Sequence, residues 1–337
     1  MKKIIIGIHG LGNKPPKYLL EKWWSDAMKE GLENLGYKSQ LPTFELVYWA
    51  DILYEMPLDF WMKDINNSFY LDEPYVKTAG NKLIKPASYR KNLNTKIVEF
   101  FNKVFLNHDK THKNKFISDF IIQKYFFELE VYYSEKNNEH SDFNFNAKKL
   151  IQKRLSSIIN KYKGYEILLI AHSMGSIIAF DVLSNIHPSI KINTFITIGS
   201  PLGLPIVVSE IAKDKNRIDL KYRSIKSPAC ILNNWFNHAD IMDKVAINHN
   251  LSDLYSVNDS GVKPIDSIVF NDYQVNAQAN PHKSFGYLRT LEFSSVLRDF
   301  IIYNKDEIKT TKKDETNDAS SNIKFKADKF SPNIKTA

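Results

Sequence analysis

Residues 167–178 read ILLIAHSMGSII, and Ser173 near their centre is the side chain best placed to do chemistry. A serine hydroxyl is a weak nucleophile until a neighbouring base takes its proton. It must also stand clear of its own backbone to reach a substrate. The local pattern meets that need. Ile167 to Ile170 read as a buried strand, Ala171-His172-Ser173-Met174-Gly175 as a tight turn, and the run through Leu183 as a helix. Such a strand–turn–helix unit holds its serine in a strained conformation with the hydroxyl raised above the sheet. The residues two before and two after must be small, or they would strike the strand and the helix. Here they are Ala171 and Gly175. The bland alternative is a serine that caps the helix after it. What separates the two is whether the chain also supplies a base, an acid and donors for a developing oxyanion.

A second motif lies upstream. Ile8-His9-Gly10-Leu11-Gly12 ends the first apolar run, and glycines there let the backbone approach a ligand closely. With Gly7 the loop also resembles a nucleotide cradle. The order, however, is Gly-x-x-Gly-x-Gly, no Gly-Lys-Ser/Thr follows, and no acidic residue ends a clear second strand about 20 residues on. A dinucleotide site is therefore not expected. The single cysteine, Cys230, sits in an apolar run and reads as a small core residue. No pair of histidines or cysteines has metal-ligand spacing, so neither metal nor cofactor is expected.

The elements that must position these residues alternate. Strand-like runs fall at 4–9, 44–49, 165–171, 191–198, 230–236 and 267–270, with helix-like stretches at 21–35, 147–162, 174–185 and 284–304. Alternation of this kind implies a mainly parallel sheet with helices on both faces. One interval breaks it. Residues 51–145 show no clear buried strand, are rich in aromatics such as Phe60, Trp61, Phe69 and Tyr70, and include an apolar helical stretch over 115–133. They are expected to form a helical insertion, a candidate cap over the site. The core would then comprise 1–50 and 146–304. Residues 305–337 are dominated by Lys, Asp, Glu, Thr, Ser and Asn, the composition of a disordered tail.

Composition narrows the setting. The chain of 337 residues carries a net charge of +8, without a basic motif interleaved with aromatics, so a lysine-rich solvated surface is expected rather than a nucleic-acid partner. No apolar run reaches the ~18–20 residues that span a bilayer. The N-terminal MKKIIIGIHG has too short an apolar run for a signal peptide and no cleavage site, and reads as a first strand. One cysteine excludes an intrachain disulfide. These features point to a cytoplasmic protein.

The elbow around Ser173, the His9-Gly10-Leu11-Gly12 loop and the turn Ile198-Gly199-Ser200-Pro201-Leu202-Gly203 together resemble the α/β-hydrolase superfamily, of the lipase/esterase type. The likeness covers most of the chain outside the insertion and the tail. Ala171 is a departure, since glycine is usual there. The resemblance implies an α/β-hydrolase fold and a triad in the order Ser, acid, His. The base would be a late histidine, and His282, in the loop before the last helix, is the best placed. His249 precedes the last strand, His238 and His187 read as loop residues, and the His172 side chain is expected to point away. Two aspartates compete for the acid. Family members often begin an Asp-x-Val turn at this place, which favours Asp243; Asp240 lies nearer the strand end. Backbone N–H groups of Leu11 (or Gly10) and Met174 would form the oxyanion hole.

The chemistry expected is hydrolysis of a carboxylic ester through an acyl-enzyme on Ser173. The aromatic insertion suggests an apolar acyl group, from a small-molecule or lipid ester, with peripheral membrane contact. Acyl transfer by the same triad, or lipid-surface binding without catalysis, are the other readings open at this point.

Overall fold

The computed structural model describes residues 1–78, 129, 132–133, 147–186 and 189–302. Most of the expected insertion, the apolar stretch over 115–133 save Leu129, Tyr132 and Tyr133, His187, and the tail at 305–337 lie outside the described residues.

Six parallel strands form the central sheet: β1 (Lys3–Ile8), β2 (Thr43–Val47), β3 (Glu166–His172), β4 (Ile192–Ile198), β7 (Ile231–Asp240) and β9 (Pro264–Val269), in the order β2-β1-β3-β4-β7-β9. Every residue of β3 and β4 is buried. That is why these strands read as unbroken apolar runs: helices cover both faces of a parallel sheet. Alternate side chains feed two cores. Ile4, Ile6, Ile8, Ile167 and Leu169 pack on one side with α3 (Ala147–Lys161), α4 (Met174–Asn185) and α5 (Pro205–Ala212). Ile5, Leu168, Ile170 and Ile196 pack on the other with α1 (Lys17–Asn34) and α7 (Leu291–Ile302).

The chain moves from β1 outward to β2, then returns to the far side of β1 to lay down β3. At such a reversal the loops leaving the two neighbouring strands diverge and open a crevice at their carboxyl ends. The loops involved are 9–12 and the Ser173 turn, so topology alone brings the two motifs together.

Several elements differ from the sequence expectation. Strand β7 runs four residues past Phe236, because it pairs with β4 as far as His238 and with β9 as far as the Asp240–Val269 register. The last helical stretch is two helices, α6 (Ser284–Tyr287) and α7, since the Thr290 hydroxyl accepts the Phe293 N–H and caps a new start. Two small sheets, β5 (Ile218–Asp219) with β6 (Ser224–Lys226) and β8 (Tyr255–Ser256), and the hairpin β10 (Gln274–Val275) with β11 (Gln278–Ala279), had no clear sequence signal.

Residues 54–78, expected as the start of a helical insertion, run instead as an irregular strap after the short helix α2 (Ala50–Leu53). The side chains of Asp59, Asp64 and Asn67 each accept the N–H two residues on, at 2.8, 3.0 and 2.9 Å. Such local bonds compete with helical ones. The strap is fastened to the core through ions: Glu30, buried, accepts from Tyr75 Oη (2.8 Å), the Thr78 N–H (2.8 Å) and Arg289 (3.2 Å).

A cavity of about 730 Å³ opens on the α3–α4 side, lined in part by Tyr132, Lys148, Asp181 and Arg217. It contains none of the residues singled out for chemistry. Buried Asp181 accepts from Arg217 (2.5 Å) and Tyr132 Oη (2.9 Å), which anchors α4 at its far end from Ser173.

Candidate active site

Ser173 sits between β3 and α4 with φ 53° and ψ −128°. This backbone region is unfavourable for a residue with a Cβ, and strain of this kind costs about 1–3 kcal/mol. Surrounding contacts enforce it. The Ser173 N–H donates to the Ile198 carbonyl at 3.1 Å, and the Ser173 carbonyl accepts from Ser176 N at 2.8 Å. A Cβ on Gly175 would lie 2.7 and 2.8 Å from the carbonyl oxygens of Ile8 and His9. Only glycine lets α4 start this close to the end of β1. Gly175→Ala should therefore lift the helix from the strand, costing about 1–3 kcal/mol of stability and moving the hydroxyl. Thermal unfolding and ester turnover measured together check this; an unshifted Tm would contradict the contact.

His282 lies in the loop before α6 and faces Ser173. Its Nε2 is 2.9 Å from Ser173 Oγ. Its Nδ1 is 2.8 and 2.9 Å from the two oxygens of Asp243. Those partners place the proton on Nδ1 and leave Nε2 to accept. The Asp243 carboxylate is fully buried and accepts further from the Val245 N–H (2.9 Å) and the Tyr287 hydroxyl (2.7 Å). Gly199 forms the floor beneath this group, at φ 54°, with room for no side chain: a Cβ would stand 2.9 Å from Asp243 Oδ2 and 3.2 Å from His282 Nδ1. The Gly-Ser-Pro turn is thus part of the site's packing.

Asp240, the other aspartate weighed for the acid position, has different partners. As the last residue of β7 it accepts the Met242 N–H and the Asn271 N–H, both at 2.7 Å. The Asn271 amide in turn donates to the carbonyls of Pro281 (2.9 Å) and Lys283 (2.8 Å), one on each side of His282. Asp240 thereby helps to hold the histidine's backbone, one step removed from its ring.

His172 corrects an expectation. Its ring turns toward the site, with Nε2 donating to the His282 carbonyl at 2.7 Å and the two imidazole centroids 4.9 Å apart. Burial, and then the neighbouring His282, keep its pKa well below the ordinary histidine value. A neutral ring can lie against His282 without repelling it. His249 and His238 take no part: His249 Nδ1 faces the Ile247 carbonyl, and His238 is buried within the sheet, its pKa pushed down by burial to about 4. Cys230 is also buried, its Sγ 3.4 Å from the Leu183 carbonyl and its pKa pushed up to about 12. That suits a core residue.

The loop after β1 is braced from several sides. The His9 ring stacks on Trp49 (centroids 4.9 Å apart, planes 10°), donates from Nδ1 to the Gly10 carbonyl (2.8 Å) and accepts the Trp49 N–H at Nε2 (3.0 Å). Burial first, then the charge of Lys14, lowers its pKa well below the usual value, so it stays neutral. The Lys14 ammonium gathers the carbonyls of Leu11 and Gly12. Gly10 packs against the Ser173 turn, where a Cβ would come within 2.6 Å of Ser173 Cβ. Leu11 follows directly. Met174 is the first residue of α4, so its N–H has no acceptor within the helix.

Three groups important to the geometry had no clear signal in the sequence. Tyr287, His172 and Asn271 each act through a partner distant along the chain. Tyr287 lies five residues after His282 and His172 directly before Ser173, but neither spacing shows the partner.

No curated protein sequence and no solved structure matches the chain. A family model described as "PGAP1-like alpha/beta domain" matches residues 79–284, well over half of the chain. The match takes in Ser173, Asp243 and His282 and leaves β1 and the loop at 9–12 outside it. The parallel sheet covered by helices on both faces is that of an α/β hydrolase. The chain belongs to the PGAP1-like alpha/beta domain family, a serine-hydrolase-like α/β family.

Proposed function

We propose that this protein is a serine hydrolase that cleaves a carboxylic ester of the lipase/esterase type. The observation that carries this reading is the unbroken chain of hydrogen-bond distances from Ser173 Oγ through the His282 ring to Asp243. Ser173 attacks the acyl carbon while His282 Nε2 takes its proton, and Asp243 stabilises the imidazolium that forms. The oxyanion is met by the N–H groups of Leu11 and Met174, donors that together contribute several kcal/mol in the transition state. His282 then returns the proton to the leaving alcohol. Water, activated by the same imidazole, releases the acid and restores the serine. Balance needs only ester and water, and a single cysteine fits a reducing, cytoplasmic setting.

Purified protein should react with a fluorophosphonate probe at Ser173 and cleave p-nitrophenyl esters. Absence of both from folded protein would overturn the reading.

The substrate is read as an ester with an apolar acyl group, delivered from a lipid surface. Support comes from Met56, Phe60, Trp61 and Ile65, all exposed, with Trp61 80% accessible. They lie on the strap that joins the oxyanion loop through Asn13 Nδ2 to the Met56 carbonyl (2.8 Å) and the Leu58 N–H to the Lys14 carbonyl (2.9 Å). Tryptophan favours the boundary between water and lipid. Trp61→Ser should lower co-sedimentation with phosphatidylcholine vesicles at unchanged Tm; equal recovery of variant and wild type would remove this contact.

A further inference from the structure

We propose that Tyr287 is a positioning residue that sets the basicity of His282 through Asp243. The inference rests on the triad reading above, and it adds a group outside the triad. Tyr287 is fully buried on α6, five residues after His282. Its hydroxyl donates to Asp243 Oδ2 at 2.7 Å and accepts the Asp240 N–H at 2.9 Å. A backbone dipole, a phenol and a carboxylate are thus aligned, and each bond polarises the next. His282 and Tyr287 are carried by one short segment and bind the same carboxylate.

The consequence is electrostatic as well as geometric. Every donor to Asp243 draws charge from the oxygens that face His282 Nδ1. Remove the phenol, and the carboxylate becomes a stronger partner for the imidazolium. The imidazolium is then held more tightly than in the wild type, and less of the free base is present on the acid limb. Burial, followed by the charge of Asp243, raises the phenol's own pKa far above the usual tyrosine value, so the hydroxyl remains a donor throughout the working range.

The other groups facing His282 leave this effect readable. His172 is held neutral against the ring. Lys283 and Glu73 pair with each other at 2.8 Å beside the loop. Asp240 is turned toward the N–H groups of Met242 and Asn271, and Lys14 lies on the loop after β1. Of these, only Asp240 is touched by a change at the Tyr287 hydroxyl, which accepts its N–H; the carboxylate contacts of Asp240 to Met242 and Asn271 stay in place.

The test is Tyr287→Phe, followed by the pH profile of kcat/KM on p-nitrophenyl acetate and by NMR titration of the 15N-labelled His282 imidazole. The acid limb and the imidazole midpoint should both move up by about half a pH unit or more, the share of a lost charge-assisted bond that reaches His282. On the acid limb the rate should fall about threefold, the factor that a half-unit rise in midpoint sets. Replacing Tyr287 with 3,5-difluorotyrosine keeps the shape and strengthens the donor, so both midpoints should move down. That variant also serves if the phenylalanine protein does not fold. Midpoints that coincide with wild type would overturn the proposal, even if Tm falls, because a merely structural role lowers Tm alone. The NMR arm does not depend on turnover. A midpoint that moves in a protein unreactive to fluorophosphonate would sink the hydrolase reading and leave the coupling standing. A probe-reactive protein with fixed midpoints would do the reverse.

Discussion

Replacing Ser173 by alanine should abolish fluorophosphonate labelling and lower ester turnover by about four orders of magnitude or more, the scale on which triad nucleophiles act. The fold should survive. Ser173 is buried and its hydroxyl meets only one described partner, His282 Nε2, so the deletion removes one hydrogen bond and leaves no cavity of consequence. Alanine keeps the strain, because its Cβ is as unwelcome at φ 53° as that of serine. Ser173→Gly removes it. The glycine variant should therefore match the alanine variant in being inactive yet unfold at higher temperature, by an amount corresponding to about 1 kcal/mol. Calorimetry on the two variants reads the strain stored in the turn. Turnover of either variant near the wild-type rate would place the nucleophile elsewhere.

The second large effect separates the two aspartates. Asp243→Asn puts an amide where the carboxylate now receives His282 Nδ1–H, the Tyr287 hydroxyl and the Val245 N–H. An NH₂ group facing Nδ1 favours the other imidazole tautomer, with the proton on Nε2. That nitrogen can then no longer accept from Ser173. The expected loss in kcat is about 10⁴-fold, with little change in KM. Asp240→Asn should behave differently. Its carboxylate accepts two backbone N–H groups, and an amide can satisfy only one. The unmatched N–H costs about 1–3 kcal/mol of stability, while turnover falls far less than in the Asp243 variant. Side-by-side kinetics and denaturant melts decide it. A larger kcat loss at Asp240 would reverse the assignment of the acid.

Why the sequence led to Ser173 and His282 more directly than to Asp243 is a matter of local and distant constraints. The Ser173 turn is specified within ten residues. A strand, two small residues at fixed offsets and a helix can all be read from neighbours, since each constraint is a clash with adjacent backbone. The contacts of Gly175 with the carbonyls of Ile8 and His9 are that clash made explicit. The aspartate that meets His282 has no such signature. Asp240 and Asp243 lie three residues apart after one strand, and an Asp-x-Val turn favours the second only by likeness. What settles the geometry is where β7 ends. Its pairing with β9 extends to Asp240, which spends that carboxylate on neighbouring N–H groups and leaves Asp243 to turn toward His282. Strand length in a central position depends on both neighbours, which lie far away in the chain.

The strap at 54–78 shows the same limit. Its aromatics read as the start of a helical insertion, but Asx turns at Asp59, Asp64 and Asn67 and the ionic anchor at Glu30 and Arg289 hold it irregular against the core. Composition reports that a segment is rich in aromatics, and says little about its backbone path or about which of them stay exposed, as Phe60 and Trp61 do.

The sequence by itself determined the alternation of strands and helices, the sharp turn at Ser173 and the glycine loop, because periodicity and steric demand act over a few residues. Tertiary structure alone decided which aspartate meets His282, that His172 turns inward as a neutral neighbour, and that Tyr287 joins the carboxylate. Those are choices among partners 39 to 110 residues apart for the histidine and 44 for the tyrosine, and only the packing of β3, β7 and α6 around Gly199 brings them within hydrogen-bond reach.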